Sequence, residues 1–173
     1  MIAKISLIVA LAEDDAIGRR NDLPWNLRSD LKLFKALTLH KPMIMGSKTF
    51  KSLPGLLPRR LHVVVTRSTD NPEPTSNVLY VGSVQDAVDY VNANHAEAFV
   101  IGGAEIYRQF LEQDLVDVLY SSRVHTVVPD ADTFLRLSEL MGDRWVVDTH
   151  STYEADDDNE YAFTAIKYNR TPQ

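Results

Sequence analysis

The chain has 173 residues, 45% of them hydrophobic and 24% charged, the balance expected of one globular domain spanning 1–173 with a single sizeable core. A formal net charge of −6 argues against a general nucleic-acid binder, which presents a basic face. With no cysteine there is no disulfide, thiol nucleophile or thiolate metal site, and no apolar stretch reaches transmembrane length, so a cytoplasmic protein without a membrane partner is expected.

Residues 5–11 form a continuous apolar, β-branched run that predicts a buried first strand. With Lys4 before it and Ala10-Leu11-Ala12 at its end it mimics a signal peptide, a reading set aside because a single positive charge precedes it. Residues 12–27 show no periodicity and carry Gly18, Pro24 and Trp25. Their number exceeds a usual connection, and a lid and a plain link remain equal readings.

A helix is predicted over 27–39. Leu27, Asp30, Leu31 and Phe34 recur at i, i+3, i+4 and i+7, with Arg28, Lys32 and Lys35 on the opposite face. Asp30 is therefore a carboxylate on the apolar side, where an isolated charge costs several kcal/mol or more unless it is paired, hydrogen-bonded or protonated. The competing reading is an acid in the first turn that complements the helix dipole for roughly 0.3–1 kcal/mol. This segment alone leaves both open.

Strand-like runs follow at 43–45, 61–66, 78–81 and 99–101, with helical patterns at 48–53, 84–94 and 104–113. Ser83, with Asp86 three positions on, marks the start of the 84–94 helix. The alternation predicts an α/β fold with a mostly parallel twisted sheet and about four helices. The last third changes character. Runs at 116–124, 145–152 and 161–168 lack long intervening helices and predict antiparallel strands added at one edge, ending in a hairpin. The acidic run Glu154-Ala155-Asp156-Asp157-Asp158-Asn159-Glu160 between the last two reads as a solvated turn, without the glycine or spacing of a calcium loop.

Two strands run into glycine and then helix: 43–45 into Gly46-Ser47-Lys48-Thr49, and 99–101 into Gly102-Gly103-Ala104. Such junctions let backbone approach a ligand and expose amides to phosphate. Together with Thr66-Arg67 they could converge on one polyphosphate, although a glycine after a strand is more often a tight turn. Lys48 does not follow a glycine, so this is no P-loop, and the dinucleotide fingerprint Gly-x-Gly-x-x-Gly is absent. Ser47, Lys48, Thr66 and Arg67 instead suit an extra ribose phosphate. The five histidines, His62 among them, show no metal-ligand spacing and read as surface or ordinary core residues, and no metal is expected.

Ile8-Val9-Ala10, Ile17-Gly18, Leu23-Pro24-Trp25-Asn26-Leu27, Asp30-Leu31-x-x-Phe34, Lys41-Pro42-x-Ile44-Met45-Gly46 and Ile101-Gly102-Gly103-Ala104-Glu105-Ile106-Tyr107 together resemble a bacterial-type dihydrofolate reductase over nearly the whole chain. The resemblance implies NADPH-dependent reduction of 7,8-dihydrofolate to tetrahydrofolate in one-carbon metabolism. It implies that Asp30 holds the pteridine and promotes its protonation through a water admitted beside Leu23 and Trp25. By the same matching Ile8, Val9, Ala10, Leu31, Phe34, Leu53, Leu57 and Ile101 line the substrate pocket, Ser122 helps fix the pteridine amino group through water, and Arg60 grips the glutamate carboxylate. Ala10, Ile17, Gly18, Gly46, Ser47, Lys48, Thr49, Thr66, Arg67, Gly102, Gly103, Ala104, Glu105, Ile106 and Tyr107 flank NADPH, and Asp132 tethers the 12–27 segment. Antifolates of the diaminopyrimidine and diaminopteridine classes are expected inhibitors, and a monomer is the expected state. Leu23, Ser47 and Ser122 depart from the methionine, arginine and threonine common at these positions. Ser47 weakens one phosphate contact, for which Arg67 or Lys48 could substitute. Three competing readings are a pyrimidine reductase of riboflavin synthesis on the same fold, a catalytically silent NADPH-binding module, and a purely structural domain.

Overall fold

The computed structural model describes residues 2–20 and 22–172. The first apolar run forms β1 (Lys4–Ala12) at the middle of an eight-stranded sheet. Strands β3 (Met43–Gly46), β4 (His62–Val65), β5 (Val78–Val81) and β6 (Glu97–Gly102) lie to one side, and β7 (Val118–Val124), β9 (Trp145–Tyr153) and β10 (Phe163–Arg170) to the other. The order is β5-β4-β3-β6-β1-β7-β10-β9. β7 runs parallel to β1, with Ala10 opposite Ser122, so it belongs to the parallel sheet and not to an antiparallel addition as expected. β10 alone opposes its neighbours, pairing antiparallel with β7 and with β9 at the edge.

Alternation along the strands sorts side chains to two faces. Leu7, Val9, Ile44, Val63 and Val100 pack on one face against α3 (Val84–Asn94) and α4 (Ala104–Glu112). Met43, Met45 and Val64 point to the other, where Phe34 of α1 (Arg28–Thr38) and Phe50 of α2 (Ser47–Ser52) cover them. A third cluster joins Trp25 and Leu27 to Phe163, Val124 and Leu33. Ser83 caps α3 as read from sequence, its Oγ accepting the Asp86 amide at 3.0 Å.

Three short elements were not anticipated. β2 (Ala16–Gly18) and β8 (Thr133–Phe134) form a two-stranded sheet, and α5 (Leu137–Met141) makes five helices among the described residues where about four were expected. Each is too short to display a period. The acidic 154–160 segment is the larger correction. It docks on the start of α1: the Arg28 amide donates to Asp158 O at 2.9 Å, the Ser29 amide to Asn159 Oδ1 at 3.0 Å, and the Glu160 amide to Asn26 O at 3.0 Å. Asn159 is buried. Leu27, the N-cap residue, has no capping side chain, so Asn159 supplies from 130 residues away the acceptor that a local serine or aspartate usually provides.

Candidate active site

The parallel strands of the sheet end on one side, and the register brings their ends together. Met45 pairs with Gly102, and Gly46 with Val65, the residue before Thr66. The two strand–glycine–helix junctions and Thr66-Arg67 thus converge, as sequence could suggest but not show. Space there is limited. A Cβ on Gly46 would lie 3.2 Å from Ile106 Cγ1, and one on Gly103 would lie 3.3 Å from Thr49 Oγ1. Gly102 has φ +132, which L side chains rarely adopt. Beside the junctions Thr66, Arg67, Ser68, Tyr80 and Gly82 help line a depression of about 360 Å³. Lys48 and Arg67 are exposed, and among the described residues no carboxylate lies within 4 Å of either. A cationic, amide-rich edge of this kind suits a phosphorylated ribose.

Asp30 sits in the first turn of α1, so both sequence readings hold: it is an acid near a helix N-terminus and it is half-buried against the sheet. Its Oδ1 accepts a 2.6 Å hydrogen bond from Ser122 Oγ of β7. Burial raises the Asp30 carboxyl above the ordinary carboxylate value and the Ser122 hydrogen bond opposes this, with burial prevailing. Tyr107 lies close enough for Asp30 to affect it. Its hydroxyl stands 2.7 Å from Ile8 O and 2.9 Å from Ile101 O, and burial, then the Asp30 charge, pushes its ionisation far above neutrality. It therefore acts only as a neutral donor, joining the carbonyls of β1 and β6 beside the Gly102 junction.

The apolar residues expected around Asp30 divide into three groups. Phe34, Leu53, Leu57 and Ile101 gather on the α1 side of the sheet as partly buried members of one cluster. Ile8 and Ala10 are also partly buried, whereas Val9 points into the core of the opposite face, so its backbone and not its side chain faces the α1 side. Leu31, expected on the buried side, is 53% exposed, and Leu23 is 45% exposed. An exposed large apolar side chain next in sequence to a half-buried carboxylate, as Leu31 is to Asp30, suits an amphipathic ligand better than water. Trp25 is buried, and its Nε1 has no hydrogen-bond partner among the described residues.

Arg60 is 5% exposed. It donates from Nε to Pro58 O at 3.0 Å and from Nη1 to Thr38 Oγ1 at 3.1 Å, and no described carboxylate pairs with it. Burial, and then Arg59, lowers its affinity for a proton. A buried guanidinium without a counter-anion is a ready carboxylate site. The 12–27 segment is tied down at its first half: the Arg20 amide donates to Asp132 Oδ2 at 2.8 Å, Asp132 N donates to Gly18 O at 3.1 Å, and Arg123 bonds Asp15 and Ala12 O. Asp132 is thus the expected tether. Glu105 instead turns to solvent, bonding Gln109 and Arg108 on its own helix.

Two residues here escaped sequence reading. Asn159 was hidden in an acidic run that looks solvated by composition, and His62 was read as an ordinary core or surface histidine. His62 is fully buried between Leu57 and Asn77, with both ring nitrogens engaged. Its signal was position, a polar residue opening a valine strand just after the Leu57–Arg60 segment.

A family model described as dihydrofolate reductase matches residues 4–170. The chain is 36% identical over 156 residues to the dihydrofolate reductase of Haemophilus influenzae, covering 90% of this chain and 92% of that protein. It is 37% identical over 166 residues to dihydrofolate reductase type 3 of Salmonella typhimurium, covering 96% and 98%. In fold it matches a solved dihydrofolate reductase from Enterococcus faecalis, complexed with NADP(H) and RAB-propyl, at TM-score 0.85 and 27% identity over 99% of this chain and all of that one. The match extends over nearly the whole chain in sequence and in fold, and the chain is a member of the dihydrofolate reductase family.

Proposed function

We propose that the protein reduces 7,8-dihydrofolate to 5,6,7,8-tetrahydrofolate with NADPH, in one-carbon metabolism. The observation that carries this reading is the Asp30–Ser122 pair, a half-buried carboxylate flanked by Leu31 and Phe34. A pteridine offers an amino group and an adjacent ring nitrogen as paired donors, and these match the two oxygens of Asp30 as a bidentate contact. NADPH, when bound, supplies the hydride. The glycines at 46, 102 and 103 would leave it space, and Lys48, Thr66 and Arg67 would hold its phosphates.

Reduction of the substrate's imine requires a proton at its nitrogen as well as a hydride at its carbon. Asp30, at the amino end of the pteridine, acts on that step through charge: its carboxylate favours the protonated ring and a water beside Leu23 and Trp25 delivers the proton. The unpaired indole N–H of Trp25 is a donor suited to holding that water. Arg60 takes the glutamate carboxylate, and Ile8, Ala10, Leu53, Leu57 and Ile101 contact the rings between. Diaminopyrimidine antifolates present the same donor pair to Asp30 and compete with substrate. A monomer in the cytoplasm completes the proposal; no helix among the described residues is long and apolar enough to cross a membrane.

The test is dihydrofolate-dependent oxidation of NADPH, with and without a diaminopyrimidine. Turnover abolished by the inhibitor is expected. No turnover with dihydrofolate, or turnover with a pyrimidine substrate of riboflavin synthesis, would overturn the reading.

A further inference from the structure

Resting on this reading of the site, we infer that His62 is a positioning residue for the tail of the substrate. The segment from Leu57 to Arg60 contains two of the tail-binding side chains and lies between α2 and β4, outside regular structure. Such a loop holds its shape only where its backbone polar groups find partners. Leu57 N donates to His62 Nε2 at 3.1 Å, and His62 Nδ1 lies 3.0 Å from Asn77 O. These partners fix the tautomer. An amide can only donate, so Nε2 is the bare acceptor, and a carbonyl can only accept, so Nδ1 carries the proton.

The ring is wholly buried, packed edge-on to Phe50 at 5.8 Å between centroids. It therefore tethers the Leu57 backbone to the strand pair β4–β5 through a single rigid group. Two residues before His62, Arg60 is held by Pro58 O and by Thr38 of α1, whose Oγ1 in turn donates to Phe34 O at 2.8 Å. His62 thus closes a chain of contacts from the sheet through Leu57, Pro58 and Arg60 to Phe34. Its effect falls on the benzoyl-glutamate end, because Asp30 and Ser122, which meet the pteridine, belong to α1 and β7 and share no hydrogen bond with it.

The experiment compares dihydrofolate with 6-methyl-7,8-dihydropterin, which has the pteridine but no tail, on His62→Met and His62→Gln. Methionine fills similar volume without a strong acceptor, and glutamine restores one toward Leu57 N. For His62→Met the KM of dihydrofolate should rise about 5- to 50-fold while kcat changes less than about threefold, the expected consequence of losing uniform binding of the tail. The KM values for NADPH and for the tail-less pterin should stay within about twofold, and His62→Gln should recover most of the loss with dihydrofolate. Equal losses on both substrates, or no loss on dihydrofolate, would overturn the inference. Should His62→Met not fold, the wild-type enzyme decides. The ¹⁵N signal of His62 Nε2 should differ between its complexes with NADP⁺ plus folate and NADP⁺ plus 6-methylpterin, and identical signals would overturn it. Wild-type turnover of both substrates tests the proposed function separately, since it does not depend on His62.

Discussion

Asp30 loses hydration without gaining a cation. Ser122 gives one oxygen a dipole at 2.6 Å but no charge, so the carboxyl stays raised. In the unfolded chain it ionises near 3.8, in the folded chain at higher pH. As pH climbs through that window the folded state holds a proton that the unfolded state releases, and stability falls. Asp30→Asn removes the penalty. Thermal melts should give the variant a higher midpoint at neutral pH, with the difference fading below pH 3.8, an instance of stability set aside for function. The same variant should depend on solvent protons for its chemistry. Its turnover should rise about tenfold per pH unit as pH falls, where the wild type levels off, as a pH series of single-turnover rates would reveal. Arg60→Lys tests the other end. The guanidinium satisfies Pro58 O and Thr38 Oγ1 and still has N–H groups to offer, which an ammonium cannot match from one point. Dihydrofolate KM should rise about 10- to 100-fold with NADPH affinity unchanged, in keeping with loss of a charged hydrogen-bonded pair.

Helix α1 shows what the sequence made legible and what it did not. Leu27, Asp30 and Phe34 share a face as the 3.6-residue period demands, and the acid could be singled out because it breaks the apolar pattern. The exposure of Leu31 could not be read this way, since periodicity assigns a face without saying whether that face meets core or ligand. Nor could the cap, because Asn159 reaches α1 by tertiary docking and the charges around it read as solvated. Asn159→Ala should cost about 1 kcal/mol in urea unfolding, the usual loss for a removed capping acceptor, and Asn159→Asp should not recover it in full, because the amide nitrogen that donates to Ser29 Oγ and Asp156 Oδ1 would become a carboxylate oxygen facing Asp156. The direction of β7 was equally hidden: its alternation is the same whether it runs with β1 or against it, and only its arrival through the helical crossover from β6 by way of α4, and its pairing with β1, decide.

At the scale of the molecule, the β/α alternation foretold the mostly parallel sheet, and the convergence of Gly46, Thr66 and Gly102 followed from strand order, which the sequence does not contain. That convergence predicts a shared consequence for cofactor binding. NADPH at about 100 times its Kd should stabilise the fold by about 2.7 kcal/mol, or roughly 5–10 °C for a chain of this size, and NADH, lacking the second ribose phosphate, should give less at equal concentration. Gly103→Ala, whose Cβ would crowd Thr49 Oγ1 at 3.3 Å, should reduce the NADPH shift. The most direct test of the whole account joins this cofactor edge to Asp30: dihydrofolate-dependent oxidation of NADPH at neutral pH by wild type and by Asp30→Asn, with NADPH binding measured on both. Turnover is expected in the wild type, with a loss of about a hundredfold or more in the variant and equal NADPH affinity. Near-wild-type turnover in Asp30→Asn would contradict it.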